Sequence, residues 1–567
     1  MKRHYYYGLY LASALLTVTQ EEGYCQSGSR WFPMEALDPR ARTVFVPNQQ
    51  AVRDLWGLQR VRFEDVVVAP GMQFDLELSR IPMDQVISGN AWHVDGAPAT
   101  QPNTFQSLWR GRVMGDTTSD VYLSFSTDSC IGWIKHSRGY EHLTFLDSRK
   151  STSQVTWISE QAYQAAGLAP NLACEVERLT PATGPIQPAP LPPSFATTTY
   201  KRVDVALECD WQLTEQFGGN VLAVANYITA LFGAVSERYA QQAYAVLPIV
   251  YLGTYSTSND PWITPDTGTG TTAAMLTEFR TAWSGNLPNG ARLAHHLSGS
   301  DLGGGRAYLN VLCNSAFGFA VSSGIVRYAG TTTPLPVSQG PLNWDYKVTA
   351  HETGHNFGAT HTHEFCPPVD SCADTTYFGP CQTGRVCISN GTIMSYCHTC
   401  TGGMNNIDPV FHPANAAQMQ TSVQSATCLP TYCTAGTTTY CIASPNSTSA
   451  NGARIDASGS FSLAAGNVQL STVGVPPDTM CRYYFSTTQA QVAFGNGFRC
   501  INSPFLGLPI MRASPFGDAV QSINFQSYPG NTITTPSVRH FQLWYRNPAA
   551  SGAKFNLSDG ISLYFCP

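Results

Sequence analysis

Residues 351–361 read HETGHNFGATH and contain the residue types that a catalytic metal site needs. Residues four apart share one face of an α-helix, so His351 and His355 present both imidazoles to one cation. Glu352 lies beside them as an acid that need not be a ligand. That is the position of a base that takes a proton from a zinc-bound water. The spacing therefore predicts a helix that carries two zinc ligands and a general base.

The residues that follow this helix predict a third ligand. Gly358 can adopt the left-handed conformation that ends a helix, so the chain can turn back and bring His361 to the same ion. Three protein ligands leave a fourth position open for water, which is a catalytic rather than a structural arrangement of zinc. His363 is a spare imidazole two residues further on, and the motif spacing favours His361 as the ligand.

A second motif, GTIMSY at residues 391–396, follows about thirty residues downstream. The extended histidine motif followed by a methionine turn resembles the metzincin clan of zinc peptidases. The resemblance implies that Met394 forms the hydrophobic floor beneath the zinc. It also implies a catalytic role for Tyr396, because astacins and serralysins carry a tyrosine here that reaches the zinc or donates to the oxyanion. The alternative is a packed tyrosine with no part in catalysis.

The overall layout resembles the adamalysin (reprolysin-like) branch of the clan, with a cysteine-rich half after the histidine motif. Thr362, however, stands where adamalysins have Asp after the third histidine, and the Met-x-Tyr turn is not an adamalysin feature.

The composition of the whole chain narrows its class and compartment. At 567 residues the chain is long enough for three or four domains. Charged residues make up 12% and the net charge is −6, so no nucleic-acid partner is implied. Seventeen cysteines indicate an oxidising compartment, since a reducing cytosol keeps cysteines as thiols.

The N-terminus predicts export. Lys2 and Arg3 precede an apolar run over 8–18 that is too short to span a bilayer as a mature helix. We interpret residues 1–24 as a secretory signal peptide. The mature chain is expected to lack a transmembrane segment and to be secreted, with the cell surface and the periplasm as alternatives.

Residues 25–180 predict a β-rich region without an acid–base or metal cluster. Several segments alternate with the period of two that half-buried strands show. The clearest ones are 43–46, 61–63, 74–78, 121–125 and 132–134. Ahead of a peptidase domain this region is interpreted as a propeptide that keeps the enzyme latent. The alternative is a permanent β-rich accessory domain.

Cys174 is the candidate for a cysteine switch, in which one thiolate fills the open position of the zinc. The residues around it do not match the usual switch motif, and a disulfide with Cys130 is the competing interpretation. Six prolines follow within 181–193, so we place an extended linker and the activation cleavage in 181–199.

Residues 200–430 predict the catalytic domain, a mixed sheet with helices packed on it, as in the metzincin upper subdomain. The predicted strands are 203–207, 244–252 and 292–297, and the predicted helices are 220–239, 272–283, 344–357 and 413–423.

The next predicted strand lies within residues 303–312. In metzincins the corresponding strand is the sheet edge above the cleft, to which an extended substrate adds by main-chain hydrogen bonds. The resemblance therefore places Gly304, Gly305, Ala307 and Tyr308 along the substrate, with the glycines leaving room for its backbone. An ordinary edge strand after a glycine turn is the alternative.

Six cysteines fall within residues 366–400. They predict disulfides that stabilise a loop-rich lower subdomain. The alternative is a second zinc site, which the sequence Cys397-His398-Thr399-Cys400 suggests. Family resemblance suggests a disulfide between Cys313 and Cys428. One catalytic Zn²⁺ is the expected cofactor, and no motif supports a structural Ca²⁺.

The last region, 431–567, has little charge and recurring strand-like runs between turn residues, which predicts a β-sandwich. The strand-like runs are 460–463, 468–470, 481–485, 522–525, 540–545 and 561–565.

The predicted fold is thus a multidomain α+β protein, with a metzincin catalytic domain between a β-rich prodomain and a C-terminal β-sandwich. The predicted function is a secreted zinc metalloendopeptidase of the EC 3.4.24 type, made as a zymogen and acting on polypeptides. The alternative is a catalytically inactive metzincin-like protein that serves binding or adhesion. The sequence gives no oligomeric state.

Overall fold

The computed structural model describes residues 29–30, 32–38, 43–55, 58, 60–88, 90–99, 106–116, 118–159, 174–179, 200–326, 344–432, 438–449, 452–458, 461–463, 466, 468–515 and 517–566. The predicted signal peptide (1–24) and the proline-rich linker (181–199) lie outside the described residues.

The N-terminal region is built almost entirely of strands. Its elements are β1 (Ser29–Arg30), β2 (Met34–Ala36), β3 (Phe45–Pro47), α1 (Gln49–Asp54), β4 (Arg60–Ala69), β5 (Met72–Ile81), β6 (Trp92–Val94), β7 (Ala97–Pro98), β8 (Ser107–Val113), β9 (Asp120–Phe125), β10 (Cys130–His136), β11 (Gly139–Asp147), β12 (Ser151–Ser159) and β13 (Cys174–Glu177). Ten of these strands form one sheet in the order β1-β4-β5-β8-β9-β10-β11-β12-β3-β2.

This sheet follows the period-two pattern of the sequence. In β4, Val61 and Phe63 are buried, while Arg62 and Glu64, which alternate with them, are half-buried. The alternation arises because successive side chains of a strand point to opposite faces. The predicted strands over 61–63, 74–78, 121–125 and 132–134 are confirmed.

The middle of the chain supplies the elements around the cleft. They are β14 (Tyr200–Arg202), β15 (Val205–Cys209), α2 (Trp211–Glu215), α3 (Val221–Ala243), β16 (Ala245–Val246), β17 (Ile249–Thr254), α4 (Thr272–Trp283), β18 (Leu293–Leu297), β19 (Gly305–Tyr308), β20 (Phe319–Ser322), α5 (Trp344–Asn356), α6 (Pro413–Ser425) and β21 (Thr431–Tyr432). Of the α-helices in this middle part, the sequence predicted all except the short α2. Asp210 caps α2 by accepting a hydrogen bond from the Leu213 N–H.

The central sheet has eight strands in the order β13-β19-β20-β18-β15-β17-β6-β7. Strands β20, β18, β15, β17 and β6 run parallel, and β19 runs antiparallel to β20. Strands of the N-terminal region occupy both edges, with β13 on one side and the β6–β7 hairpin on the other. The expectation that β19 is the sheet edge is wrong in this state of the chain, because β13 pairs with it.

Helix α3 lies between the two large sheets. Asn220 caps its start by accepting from the N–H groups of Leu222 and Ala223, which satisfies donors that have no partner within the helix. Residues 223–236 of the helix are all buried. Gly233 allows the close approach of the N-terminal sheet, because a Cβ there would collide with Leu108.

Disulfides hold the part of the chain around the cleft. The predicted pair Cys313–Cys428 is present and ties the region after β19 to the segment after α6. The cysteines of the lower part pair as Cys366–Cys381, Cys372–Cys397 and Cys387–Cys400. Among the described residues Cys130, Cys209 and Cys481 are free and buried. Cys130 is therefore not paired with Cys174.

The C-terminal region comprises β22 (Thr438–Tyr440), β23 (Arg454–Ser458), β24 (Gln469–Val473), β25 (Met480–Ser486), β26 (Gln489–Phe494), β27 (Gly497–Ile501), β28 (Leu506–Gly507), β29 (Met511–Arg512), β30 (Ala519–Ser522), β31 (Ser537–Arg546) and β32 (Phe555–Phe565). A six-stranded and a three-stranded sheet enclose a core of their own, separate from that of the preceding regions.

Two of the strand predictions in this region are wrong in most of their length. The segment 522–525 shares only Ser522 with a strand, as the last residue of β30, and the described part of 460–463 holds only an isolated bridge between Ser462 and Cys566. None of the helices in the part of the chain that the structure describes is long and apolar enough to cross a membrane.

Candidate active site

Helix α5 carries the histidine motif and is buried along its whole length. It ends at Asn356, two residues before Gly358, whose φ of +89° lies in the left-handed region. The N–H groups of Gly358 and Ala359 donate to the carbonyl oxygens of His355 and Gly354, at 2.9 Å each. These bonds satisfy carbonyls that the end of the helix would otherwise leave free. The chain turns here and returns His361 to the helix, as the sequence predicts.

The three imidazoles converge on one point. The Nε2 atom of His355 lies 3.1 Å from Nε2 of His351 and 3.2 Å from Nε2 of His361. Nitrogens bound to one tetrahedral zinc at about 2.0–2.1 Å would be separated by about 3.3 Å. Among the described residues, two groups of three ligand atoms are close enough to hold an ion. The histidines form the group that contains no disulfide. The donor set therefore fits one zinc.

Each imidazole is held through its other nitrogen. Nδ1 of His351 donates to the carbonyl oxygen of Ile393 at 2.7 Å, and Nδ1 of His355 donates to that of Ala359 at 2.8 Å. A carbonyl can only accept, so these two bonds leave both Nε2 atoms with a free lone pair, the form that binds a metal. Burial lowers the pKa of His351 and of His355 and thereby keeps both rings neutral.

Glu364 holds the third ligand and was missed by the sequence reasoning. Its Oε2 atom accepts the main-chain N–H of His361 at 2.9 Å and lies 3.4 Å from Nδ1 of the same residue. Burial alone would raise the pKa of Glu364, but the bond from His361 and the charge of Arg178 keep this pKa well below its usual value. The spacing of three residues, that of a capping box, is the signal that could have identified it.

Glu352 lies on α5 next to the first ligand and is buried. Its carboxyl group is packed against Gly305 of β19, where any side chain would collide with it. Arg306 is close enough for its charge to interact with that of Glu352. The structure thus places the predicted base between the metal ligands and the predicted substrate strand.

Met394 and Tyr396 lie against the same cluster. Met394 is buried, and its sulfur would be 3.0 Å from a Cβ at Gly354, so it packs directly on the helix that carries the ligands. The ring of Tyr396 lies 4.9 Å from that of His361 and 4.8 Å from that of His363, measured between centroids. His363 stacks on His361 and is not part of the converging group. The turn therefore lies beneath the ligands, where the resemblance puts it.

The predicted substrate strand β19 is already paired with another strand. Strand β13 runs parallel to it, with Cys174, Glu175, Val176 and Glu177 opposite Gly305, Arg306, Ala307 and Tyr308. Gly304 lies just before this pairing, and its carbonyl oxygen accepts from the N–H and the hydroxyl of Ser323. The main chain of Cys174 is thus at the glycine that faces Glu352. The position of its thiol lies outside what the structure describes.

Charged side chains reinforce the pairing of β13. Arg306 forms ion pairs with both Glu175 and Glu177. Arg178, directly after the strand, pairs with Glu364 at 2.6 Å. These partners are separated in the sequence by 129 residues or more, so no local pattern points to them.

The second metal site considered for the cysteine-rich part is not formed. Cys397 and Cys400 are both in disulfides, with Cys372 and Cys387 respectively. Disulfide sulfurs are not the thiolates that a zinc site requires. His398 between them is buried and lies against Trp344.

Three converging histidines and the buried carboxyl group of Glu352 thus lie together next to strand β19, and the histidines form a group that could hold a metal ion. Comparison with family models matches residues 199–408 to a reprolysin-type model described as metallo-peptidase family M12. This segment is a metzincin-like metallopeptidase domain, and its family implies a zinc cofactor and polypeptide substrates.

Comparison with curated proteins finds no match. Among solved structures, metalloproteinase-II from Bacteroides fragilis is 12% identical with a TM-score of 0.34, over 64% of this chain and 90% of that one. Wild-type OgpA from Akkermansia muciniphila is 11% identical with a TM-score of 0.19, over 65% of this chain and 94% of that one. Scores this low do not define a common overall fold.

Proposed function

We propose that the protein is a zinc-dependent metalloendopeptidase, exported and made as a zymogen. The convergence of three imidazoles, with Nε2 of His355 within 3.2 Å of Nε2 of both His351 and His361, next to the buried carboxyl group of Glu352, carries this proposal. Four disulfides around the cleft support an oxidising compartment.

A zinc held by His351, His355 and His361 would polarise the scissile carbonyl and make water a better nucleophile near neutral pH. In the proposed mechanism Glu352 takes the proton of the attacking water and later returns it to the leaving amine. Glu352 is proposed to serve both steps because α5 carries it beside the ligands and Gly305, which has no side chain, leaves room for its carboxyl group. The hydroxyl of Tyr396 is proposed to donate to the oxyanion.

Strand β13 is proposed to be the element that keeps the enzyme latent. It covers the main-chain groups of β19 to which a substrate would bind, and it brings Cys174 to the glycine opposite Glu352. Cleavage within 181–199, just after this strand, would sever its connection to the catalytic domain and allow it to leave. A thiol of Cys174 on the zinc stays a hypothesis that a thiol assay on the uncleaved chain tests.

The proposal is tested with the full-length chain, loaded with zinc and cleaved within 181–199, using casein as the substrate. We expect the wild type to cleave casein and Glu352→Gln to lose about 10²–10⁴-fold in kcat/KM while retaining its zinc. The exposed Glu215→Gln serves as the matched control and should behave as the wild type.

Two results would overturn this function. One is a zinc-loaded, cleaved wild type that leaves casein and a random peptide library intact, which is the result expected of an inactive binding or adhesion protein. The other is undiminished cleavage by Glu352→Gln.

A further inference from the structure

We propose that Arg306 makes this enzyme select peptides with an acidic side chain at the position opposite it on β19. This inference rests on the proposed peptidase function and deepens it by naming the substrate class. Its starting point is β13, an extended peptide that already lies along the substrate strand and shows which side chains the strand accepts.

The alternation of side chains assigns Arg306 to one face of the strand. Successive residues of a β-strand point to opposite faces. Gly305 and Ala307 lie on the face towards α5, since a Cβ at Gly305 would meet Glu352 and Ala307 is fully buried. Arg306 and Tyr308 therefore lie on the other face. A peptide paired with β19 in either direction places the residue opposite Arg306 on the same face as the guanidinium.

The bound strand places carboxylates on that face. Glu175 is opposite Arg306 and Glu177 is opposite Tyr308, and both form ion pairs with Arg306. The hydroxyl of Tyr377 also donates to Glu175, at 3.4 Å. Strand β13 therefore presents two acidic groups, two residues apart, to one cation.

The guanidinium group of Arg306 is poorly solvated while a strand covers it, so an ion pair with a carboxylate stabilises it. Its side chain is only 16% exposed, whereas those of Glu175 and Glu177 are 40% and 42% exposed. Its Nε atom is buried and has no hydrogen-bond partner among the described residues. Departure of β13 removes both carboxylates at once. A peptide that pairs with β19 covers the guanidinium again, so a peptide that restores a charged partner is favoured over one that does not.

The test compares pairs of peptides that differ only in Glu against Gln, scanned along each position from four residues before to four after the cleaved bond. The zinc-loaded, full-length chain cleaved within 181–199 is the enzyme. We expect one or two positions, two residues apart, at which Glu raises kcat/KM about 10–100-fold over Gln. In Arg306→Gln this ratio should fall to about one.

Arg280 provides the matched control, because its guanidinium lies over the ring of Tyr308 but not against the carboxylates of β13. Arg280→Gln should keep the Glu preference. A Glu preference that is absent in the wild type, persists in Arg306→Gln or is lost in Arg280→Gln overturns the proposal. Cleavage of no peptide at all would instead overturn the proposed function.

A measurement on the wild-type enzyme covers the case in which Arg306→Gln fails to fold. A synthetic peptide matching residues 171–180 should inhibit the cleaved enzyme, and the same peptide with Gln at positions 175 and 177 should inhibit at least about 10-fold less well. Equal inhibition by the two peptides would contradict the assignment of Arg306.

Discussion

Glu364 joins two functions at the scale of single residues. One of its oxygens holds the ligand His361, and the other pairs with Arg178 just after strand β13. The same carboxylate therefore orients a metal ligand and anchors the segment that covers the cleft. Loss of β13 leaves the bonds to His361 in place, because they come from residues of the catalytic domain itself.

Tyr396 allows a test of the oxyanion role at the same scale. Phenylalanine keeps the ring that packs on His361 and removes only the hydroxyl. We expect Tyr396→Phe to lower kcat about 10²–10³-fold, the usual loss of one oxyanion donor, with KM and zinc content unchanged. Steady-state kinetics on casein-derived peptides measure this.

Tyr377→Phe is the control, since the Tyr377 ring lies 5.3 Å from that of Tyr396 while its hydroxyl bonds Glu175. This variant should keep the wild-type kcat. An unchanged kcat in Tyr396→Phe with full zinc content would leave Tyr396 a packing residue only.

The convergence of the three histidines could be predicted from the sequence better than the residues that hold them. His351, His355 and His361 follow from the period of a helix and one glycine turn, so short-range geometry is sufficient to place them. Glu364 is also local but resembles an ordinary cap. Arg306 could not be assigned, because its partners are 129 and 131 residues away and only the folded sheet brings them together.

At the scale of elements, β15 carries near its end a buried carboxyl group, that of Glu208, which the proposed mechanism does not use. Glu208 accepts bonds from the hydroxyl of Tyr255 at 2.6 Å and from Nε1 of Trp262 at 3.1 Å. Burial raises the pKa of Glu208 to about 8, whereas its ordinary value is 4.5. The end of the strand is therefore most stable when this carboxyl group carries its proton.

This shift makes the stability of the protein depend on pH in a defined direction. Between pH 4.5 and 8 the unfolded chain releases the proton of Glu208 while the folded chain keeps it, so the free energy of unfolding falls as the pH rises. Glu208→Gln retains the shape of the protonated acid but does not titrate. We expect its free energy of unfolding to fall less between pH 5 and pH 8 than that of the wild type.

Urea denaturation of both proteins at the two pH values, with equal zinc, measures the difference. The exposed Glu215→Gln should show the wild-type pH dependence. Parallel pH dependence of Glu208→Gln and the wild type would show that this carboxyl group does not titrate in the window.

Helices and strands that a short sequence pattern marks could be predicted, whereas the strands with which they pair could not. Helix α4 has the predicted bounds of 272–283 because Thr271 caps it and its apolar residues recur at helical spacing. Strand β19 was predicted from its sequence, yet its pairing with β13 was not. Pairing between strands so distant in the chain depends on the tertiary fold, which a single sequence does not encode in any short pattern.

At the scale of the whole molecule, the N-terminal region is packed into the catalytic domain rather than attached beside it. Tyr122 of β9 donates to the carbonyl oxygen of Ala230 at 2.7 Å, and Gln106 donates to that of Asn226 at 2.8 Å. One continuous apolar core includes residues from both regions. The sequence had suggested separate domains, because it does not reveal that α3 is covered on both sides.

A truncated chain tests the importance of this packing. We expect residues 200–432 alone to aggregate, because the face of α3 around Gly233 would lose Leu108 and Tyr122 and expose apolar surface. Size-exclusion chromatography and a hydrophobic dye measure this outcome.

The control is a chain that ends at 432 and lacks only the C-terminal sandwich, which has a core of its own. This chain should remain soluble and monodisperse. A soluble 200–432 fragment that binds zinc and no dye would show that the N-terminal region is dispensable once the enzyme is folded.

Two of the strands that the N-terminal region adds to the central sheet have a consequence for biosynthesis. Both β6 and β13 are translated before the strands with which they pair, and both pairings are parallel. The nascent chain must hold these segments unpaired until the ribosome has delivered residues 249–308. Such non-local contacts slow folding and prolong exposure to aggregation, so we expect this polypeptide to need protection from aggregation while it is being synthesised.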